Sequence, residues 1–90
     1  MNVFINNDDV VDLFVTVTDN NTQPPSNPLT NKRINHGGAS VGIDVQADGD
    51  GNANLGWFAQ SAEDPTKTKT NANPVTPSAG QTVDVDVFGA

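Results

Sequence analysis

The sequence contains no cysteine, a single tryptophan and only four basic residues among its 90 residues. Because cysteine is absent, neither a disulfide nor a thiolate metal site can stabilise the chain, and folding must rely on packing. The four basic residues stand against eleven acidic ones, which gives a net charge of −7. That charge repels nucleic-acid phosphates and anionic lipid headgroups, so we expect neither nucleic acid nor a membrane as a partner.

Long apolar runs and glutamate are also scarce. No basic segment with an apolar stretch follows Met1, so we expect neither a signal peptide nor a membrane span. Glu63 is the only glutamate, and the polar residues are mainly Asp, Asn, Thr and Gly. These residue types favour turns and strands over helix interiors. A chain this short supports one hydrophobic core, so we expect a single domain over residues 1–90.

Strict alternation of apolar and polar residues predicts two strands, one near each end of the chain. In 10–18 the aliphatic residues occupy every second position, and 82–88 repeats the pattern. We expect these two strands to be neighbours. Segments 19–31 and 71–80 are rich in proline and asparagine, which predicts long surface loops.

Three shorter segments are further strand candidates, and no window has the pattern of a helix. They are 3–6, 32–35 and 66–70, of which the last, with alternating lysines, is typical of an edge strand. At most one short turn is expected near 61–65. The sequence therefore predicts an all-β fold, a small antiparallel β-sandwich of about six or seven strands. Its strand spacing resembles immunoglobulin-like or lectin-like modules, a resemblance that implies no function.

The segment 40–60 alternates on both sides of a glycine-rich and aspartate-rich centre. A hairpin centred on Asp50 would place Val45 opposite Leu55 and would bury Trp57, whereas a one-residue slip would mix the two faces. The implied loop is 49–51, with its last glycine in the left-handed conformation.

The same centre has an alternative interpretation as a weak calcium site. Asp48, Asp50 and Asn52 offer oxygen ligands at alternate positions, as calcium requires. The helical-hand pattern is incomplete, because Ala59 stands where the final carboxylate should be. A looser site between sandwich loops would need no such pattern, and other acidic residues could join it, namely Asp8, Asp9 and Asp19.

Three features have the form of catalytic groups, but none has the required context. Ser40 lies in a G-x-S-x-G sequence at 38–42, which requires a strand-to-helix turn and a histidine later in the chain. The only histidine, His36, precedes it in a turn-like segment. Asp84 and Asp86 share a strand face that is expected to be solvated, unlike a catalytic carboxylate pair. We therefore expect no enzyme.

Phe14, Phe58 and Phe88 fall on the polar faces of their strands. They can form a patch for a partner or a second copy of the chain, or a small core beneath a loop. A polar sheet face with an aromatic ring also suits a sugar. For such a ligand the candidate binding residues are Asp44, Gln46, Asn54, Phe58 and Gln60.

Two functions follow from these observations. The first is a non-catalytic recognition module that binds carbohydrate, with weak calcium involvement. The alternative is a structural subunit of a coat, decoration or inclusion type that forms a homo-oligomer through its outward phenylalanines.

Overall fold

The computed structural model describes residues 1–37 and 40–89. These residues form seven strands and no helix, which confirms the predicted all-β fold and strand number. The strands are β1 (Asn2–Asn7), β2 (Leu13–Asp19), β3 (Ser26–Ile34), β4 (Ser40–Asp44), β5 (Leu55–Ser61), β6 (Thr68–Thr70) and β7 (Thr82–Val85).

The strands form two sheets that enclose one apolar layer. The three-stranded sheet has the order β4-β1-β7, and the four-stranded sheet has the order β3-β2-β5-β6. Every second residue of the central strands points inward, so that Val3 and Ile5 of β1 and Val15 and Val17 of β2 are fully buried. Trp57 is 8% exposed and belongs to this core, as predicted. The fold is compatible with a small β-sandwich.

The predicted hairpin over 41–59 is wrong, because its two strands lie in different sheets. β4 pairs with β1, whereas β5 pairs with β2 and β6. Residues 45–54 cross from one sheet to the other and contain a tight turn, where Gly51 has the predicted left-handed conformation (φ +80°). Buried and exposed residues do alternate in both β4 and β5. The same pattern buries the same residues whether two strands share a sheet or face each other across the core.

The predicted pairing of the two terminal strands is also wrong. β7 pairs in parallel with β1, and β2 lies in the opposite sheet. β7 also ends earlier than predicted. The backbone N–H groups of Val87 and Phe88 donate to the Asp9 carboxylate (2.7 and 3.0 Å) instead of continuing a ladder.

The segment 19–31, predicted to be a loop, contains most of strand β3. Pro28 is tolerated there because β3 is an edge strand, where a missing N–H costs no ladder bond on the open side. The pairing with β2 is irregular, and Asn31 has a positive φ of 46°. Such irregularities are typical of β-bulges at sheet edges. β6 is an edge strand of the same sheet, as its lysines predicted.

Candidate functional site

The outer surface of the four-stranded sheet is formed by alternate residues of three neighbouring strands. The pairing register sets Phe58 beside Thr16 on one side and Thr70 on the other, with Gln60 beside Phe14. We call this surface the threonine–phenylalanine face, and its members are Phe14, Thr16, Thr18, Phe58, Gln60, Thr68 and Thr70.

Phe58 supplies the accessible aromatic surface of this face. Its side chain lies on the central strand β5 and is 41% exposed, so a substantial part of the ring meets solvent. Phe14 is half-buried, because the guanidinium of Arg33 lies over its ring at 5.6 Å from the centroid, a cation–π geometry. A ligand approaching the face would therefore meet Phe58 first.

None of the seven described members of the threonine–phenylalanine face carries a carboxylate, although the chain has eleven acidic residues. Asp19 is the only acidic residue on the strands of the four-stranded sheet, and it is buried (2% exposed). The three-stranded sheet, in contrast, exposes Asp44 and Asp84. The acidic side chains thus lie outside the seven members of the face, although the Asp12 carboxylate borders it through Arg33, which covers Phe14.

Some polar groups of the face are already hydrogen-bonded within the protein. The Thr16 hydroxyl accepts the Asn31 N–H (2.9 Å), and the Gln60 Nε2 group donates to the Pro65 carbonyl (2.9 Å). In the part of the chain that the structure describes, the hydroxyls of Thr68 and Thr70 have no such partner. Both are exposed, so the free hydroxyls lie on the β6 side of Phe58.

The five predicted ligand residues do not lie on one surface. Phe58 and Gln60 share the threonine–phenylalanine face, but Asp44 lies on β4 of the other sheet, with its carboxylate 3.2 Å from the N-terminal ammonium. Gln46 and Asn54 lie at the two ends of the crossing segment. There the Asn54 side chain accepts a hydrogen bond from that of Asn20 (3.1 Å).

The crossing segment is anchored by Asp19, a residue that the sequence placed at the start of a loop. Its carboxylate accepts the N–H groups of Asn21 (3.0 Å) and Gln46 (2.8 Å). The bond to Gln46 connects the end of β2 to the chain as it leaves the three-stranded sheet. Asp19 therefore uses both carboxylate oxygens within the fold.

The predicted calcium ligands lie together in one tight turn. The Asp48 Oδ1 atom accepts the N–H groups of Asp50 (2.8 Å) and Asn52 (3.0 Å), while the Asp48 N–H donates to the Asn52 carbonyl (2.8 Å). These bonds are the ordinary capping of a turn by aspartate. Among residues 1–37 and 40–89, no three His, Cys, Asp or Glu side chains are grouped to hold a metal ion.

Asp9, another candidate calcium ligand, stabilises the chain ends instead. Burial alone would raise the pKa of the Asp9 carboxyl, but hydrogen bonds from the backbone N–H groups of Val87, Phe88, Val10 and Val11 outweigh it and lower the pKa. The carboxylate thereby connects the end of β1 to the segment that follows β7.

The only histidine lies beside an Asp12–Arg33 ion pair on the surface. The Asp12 carboxylate accepts the backbone N–H of His36 (3.0 Å), contacts the His36 Nδ1 atom (2.6 Å) and accepts from Arg33 (2.8 Å). These three contacts hold the pKa of Asp12 well below its usual range. Ser40 begins β4, and two preceding residues of its G-x-S-x-G sequence, Gly38 and Ala39, lie outside the described residues. A strand, not a helix, follows the serine, so the strand-to-helix turn is missing.

The remaining exposed phenylalanines lie elsewhere on the molecule. Phe88 follows the end of β7 and is 52% exposed. Phe4, whose exposure the sequence did not predict, lies on the outer face of β1 with its ring against Gly42, and it is 39% exposed. The exposure of Phe58 and Phe88 argues against a small core beneath a loop.

One groove of about 310 Å³ runs beside β7. Its walls are the free edge of that strand and the segment 75–77. No helix long and apolar enough to cross a membrane is present in the described part of the chain. Comparisons with protein-family models, curated proteins and solved structures found no significant match.

Proposed function

We propose that the protein is a non-catalytic recognition module that binds a neutral carbohydrate on the threonine–phenylalanine face. The observation that carries this proposal is the position of Phe58 among hydroxyl and amide groups on a face whose seven members include no carboxylate, in a chain of net charge −7. A neutral ligand that docks on such a face does not have to strip bound water from exposed carboxylates.

The chemistry of the face matches that of a sugar ring. The apolar C–H face of a pyranose stacks on an aromatic side chain, and its hydroxyls need donors and acceptors at the ring edge. Phe58 offers the aromatic surface. Thr68, Thr70 and the Oε1 atom of Gln60 offer the hydrogen-bonding groups, arranged on strands whose backbone is fixed by the sheet ladder. Rigid strands hold such groups more precisely than loops do.

Calcium has only a supporting part in this proposal. Weak binding at the turn of residues 48–52 would rigidify the crossing segment, none of whose residues belongs to the threonine–phenylalanine face. Removal of calcium with a chelator is therefore expected to leave sugar binding intact.

The experiment compares the parent with Phe58→Ser on a panel of neutral polysaccharides, namely cellulose, chitin, xyloglucan, mannan and galactan. We expect retention by at least one member and a loss of affinity of about tenfold or more in Phe58→Ser, because stacking buries apolar area worth about 1.5 kcal/mol. Phe4→Ser, on the outer face of the other sheet, is the matched control and is expected to bind like the parent. Equal binding by both variants, or no binding by the parent, would reject the proposal.

A second candidate function is assembly into a homo-oligomer. It is favoured by one observation, the exposure of Phe4 and Phe58 on the two opposite outer faces of the molecule. Light scattering separates the two functions, because an assembly subunit is multimeric without sugar and loses mass in Phe58→Ser, whereas the recognition module is monomeric.

A further inference from the structure

The hydrogen-bonding pattern between β1 and β7 leaves one side of β7 without a partner strand. The N–H groups of Phe4 and Asp8 donate to the carbonyls of Gln81 and Val85 (both 3.0 Å). The backbone N–H and C=O groups of odd-numbered residues in β7 thus point towards β1. Because successive residues of a strand direct their backbone groups to opposite sides, the N–H and C=O groups of Thr82 and Asp84 point away from β1.

In the part of the chain that the structure describes, no hydrogen bond satisfies those four backbone groups. They border the groove described above, where the sheet ends at β7. The opposite wall is the segment 75–77, which is held in place by two hydrogen bonds between Val75 and Leu55 (both 2.9 Å) and one from the Ala53 N–H to the Pro77 carbonyl (2.8 Å). The groove therefore has a row of backbone donors and acceptors on one side and a fixed wall on the other.

The other sheet edges carry features that discourage pairing with further strands. β3 contains Pro28 and pairs in an irregular register, and β6 has only three residues, with Lys69 at its centre and Lys67 just before it. β4 packs against β3 at the side of the sandwich. β7 has no proline, no lysine and no bulge, and its sequence Thr-Val-Asp-Val is favourable for a strand. Natural proteins usually protect such an edge from pairing with other chains, so the lack of these features at β7 indicates that a partner strand binds there.

The negative charge of Asp84 at this edge favours a basic partner. Asp84 accepts a hydrogen bond from the Asn6 side chain on its Oδ1 atom (2.9 Å), and its Oδ2 atom has no hydrogen bond within the described chain. The strands of the three-stranded sheet contain no lysine or arginine, and Lys69 of β6, which reaches the end of β7, is already paired with Asp86 (2.7 Å). A second copy of β7 would bring another aspartate to an acidic edge, which is unfavourable, whereas a lysine or arginine would complete the ion pair.

We propose that the groove between β7 and the segment 75–77 binds an extended, basic peptide segment of a partner protein, which adds as a strand to the free edge of β7. The backbone of the peptide pairs with Thr82 and Asp84, a basic side chain meets the Asp84 carboxylate, and apolar side chains contact Val75 and Val83. This site is separate from the threonine–phenylalanine face, and it extends beyond the proposed carbohydrate binding.

The test uses the acetylated, amidated hexapeptide KVTVKV, titrated into isotopically labelled full-length protein and followed by NMR. We expect the largest shifts at the amides of residues 75, 76 and 82–84. The same peptide with glutamate in place of lysine is expected not to bind. Two further peptides carry N-methyl groups on alternate residues, one for each edge of the strand. Methylation of one edge should abolish binding, whereas methylation of the other should leave it, since only one edge pairs with β7.

Two variants test the residues. Asp84→Asn keeps the acceptor for Asn6 and removes the charge, so affinity should fall about fivefold, as expected for one exposed ion pair. Thr82→Pro removes an N–H that the ladder to β1 does not use, and binding should be lost while the fold is kept. Asp44→Asn, at the opposite edge of the same sheet, is the matched control and should bind like the parent.

Several results would overturn the proposal. They are shifts centred on β3, β4 or β6, equal binding of both N-methylated peptides, equal binding of the glutamate peptide, or no binding at millimolar peptide. Sedimentation showing a dimer that Thr82→Pro dissociates would assign the groove to a second copy instead. None of these results depends on carbohydrate binding. That proposal is tested separately, by Phe58→Ser.

Discussion

Asn7 joins the two sheets, and its replacement gives the sharpest test of how this small fold is stabilised. It ends β1 and is only 2% exposed. Its Nδ2 group donates to the carbonyls of Val11 (2.9 Å) and Ile34 (2.8 Å), and its Oδ1 atom accepts the Asp9 N–H (2.9 Å). Because Ile34 is the last residue of β3, one side-chain amide connects the three-stranded sheet to the four-stranded sheet.

The cost of Asn7→Ala follows from these three bonds. A typical hydrogen bond contributes about 1 kcal/mol to stability, and a buried carbonyl left without a partner adds to the loss. We therefore expect the free energy of unfolding to fall by about 3 kcal/mol. In a domain of this size that lowers the Tm by about 15 °C. The loss should be nearly independent of pH, because no ionisable group is gained or removed.

Asn7→Asp keeps the shape of the side chain but replaces the donor with an acceptor. Two carbonyl oxygens would then face a buried carboxylate, so burial and the lost donor both raise the pKa of the new carboxyl above its ordinary value of about 3.9. A raised carboxyl pKa means that the folded state binds more protons than the unfolded state. The variant is therefore least destabilised below the unfolded pKa and loses stability as the pH rises through the folded pKa.

The measurement is urea unfolding of the parent, Asn7→Ala and Asn7→Asp at pH 7 and pH 4. We expect Asn7→Asp to lose about 4 kcal/mol relative to the parent at pH 7, more than Asn7→Ala, and to regain part of that loss at pH 4. Comparison with the parent at each pH cancels the titration of Asp9 and the other native carboxyls. Equal, pH-independent losses in the two variants, or a loss below about 1 kcal/mol, would refute the reasoning.

Four further predictions follow from other parts of the structure. Phe58 is 41% exposed and lies outside the buried core, so Phe58→Ser should lower the Tm by less than about 5 °C, and a fall near 15 °C would mean that the ring is buried. The lowered pKa of Asp12 stabilises the folded state above the unfolded pKa of about 4, and this stabilisation is lost as the pH falls through the folded pKa. In Asp12→Asn the Tm should therefore fall less steeply below about pH 4 than in the parent. The same dependence of Tm on pH in both proteins would contradict this. If the turn of residues 48–52 binds calcium with a Kd of about 1 mM, about 5 mM calcium should raise the Tm by about 5 °C in the parent and not in Asp48→Asn. Identical Tm values with calcium and with chelator would mean that the turn binds no calcium. Iodide should barely quench native Trp57 fluorescence, and strong quenching would contradict its burial.

The sequence predicted which residues of each strand are buried, but not which strands are neighbours. Alternation depends only on the two faces of one strand, so it placed Val45, Leu55 and Trp57 correctly in the core. Pairing depends on the path of the connecting segment. Between 45 and 54 the chain is directed to the opposite sheet by the Asp19 carboxylate, and nothing local to that segment signals a bond to a residue so distant in sequence.

Strand β3 was missed because proline and asparagine are usually signs of a loop. An edge strand has ladder bonds on one side only, so it can accommodate Pro28 and the positive φ of Asn31, which a central strand could not. Whether a strand lies at an edge is a property of the whole sheet. Composition within 19–31 therefore could not separate an irregular edge strand from a loop.

The candidate site could be predicted only in part for a related reason. Phe58 and Gln60 are on one strand, so their common face follows from alternation. Asp44 was placed beside them only by the predicted hairpin. In the structure its strand, β4, pairs with β1 in the other sheet. The threonines beside Phe58 belong to β2 and β6, and their positions follow from strand order, which the sequence did not predict.

Strand order also explains why the two proposed sites can act independently. Phe58 lies on the outer surface of the four-stranded sheet, whereas the free edge of β7 belongs to the three-stranded sheet. Residues on both strands, such as Trp57 and Val83, pack into the same core, so a core substitution would disturb both sites together. Phe58→Ser and Asp84→Asn change exposed side chains, and each should therefore affect only its own ligand. A sugar-binding defect in Asp84→Asn would mean that the two surfaces are coupled through the fold.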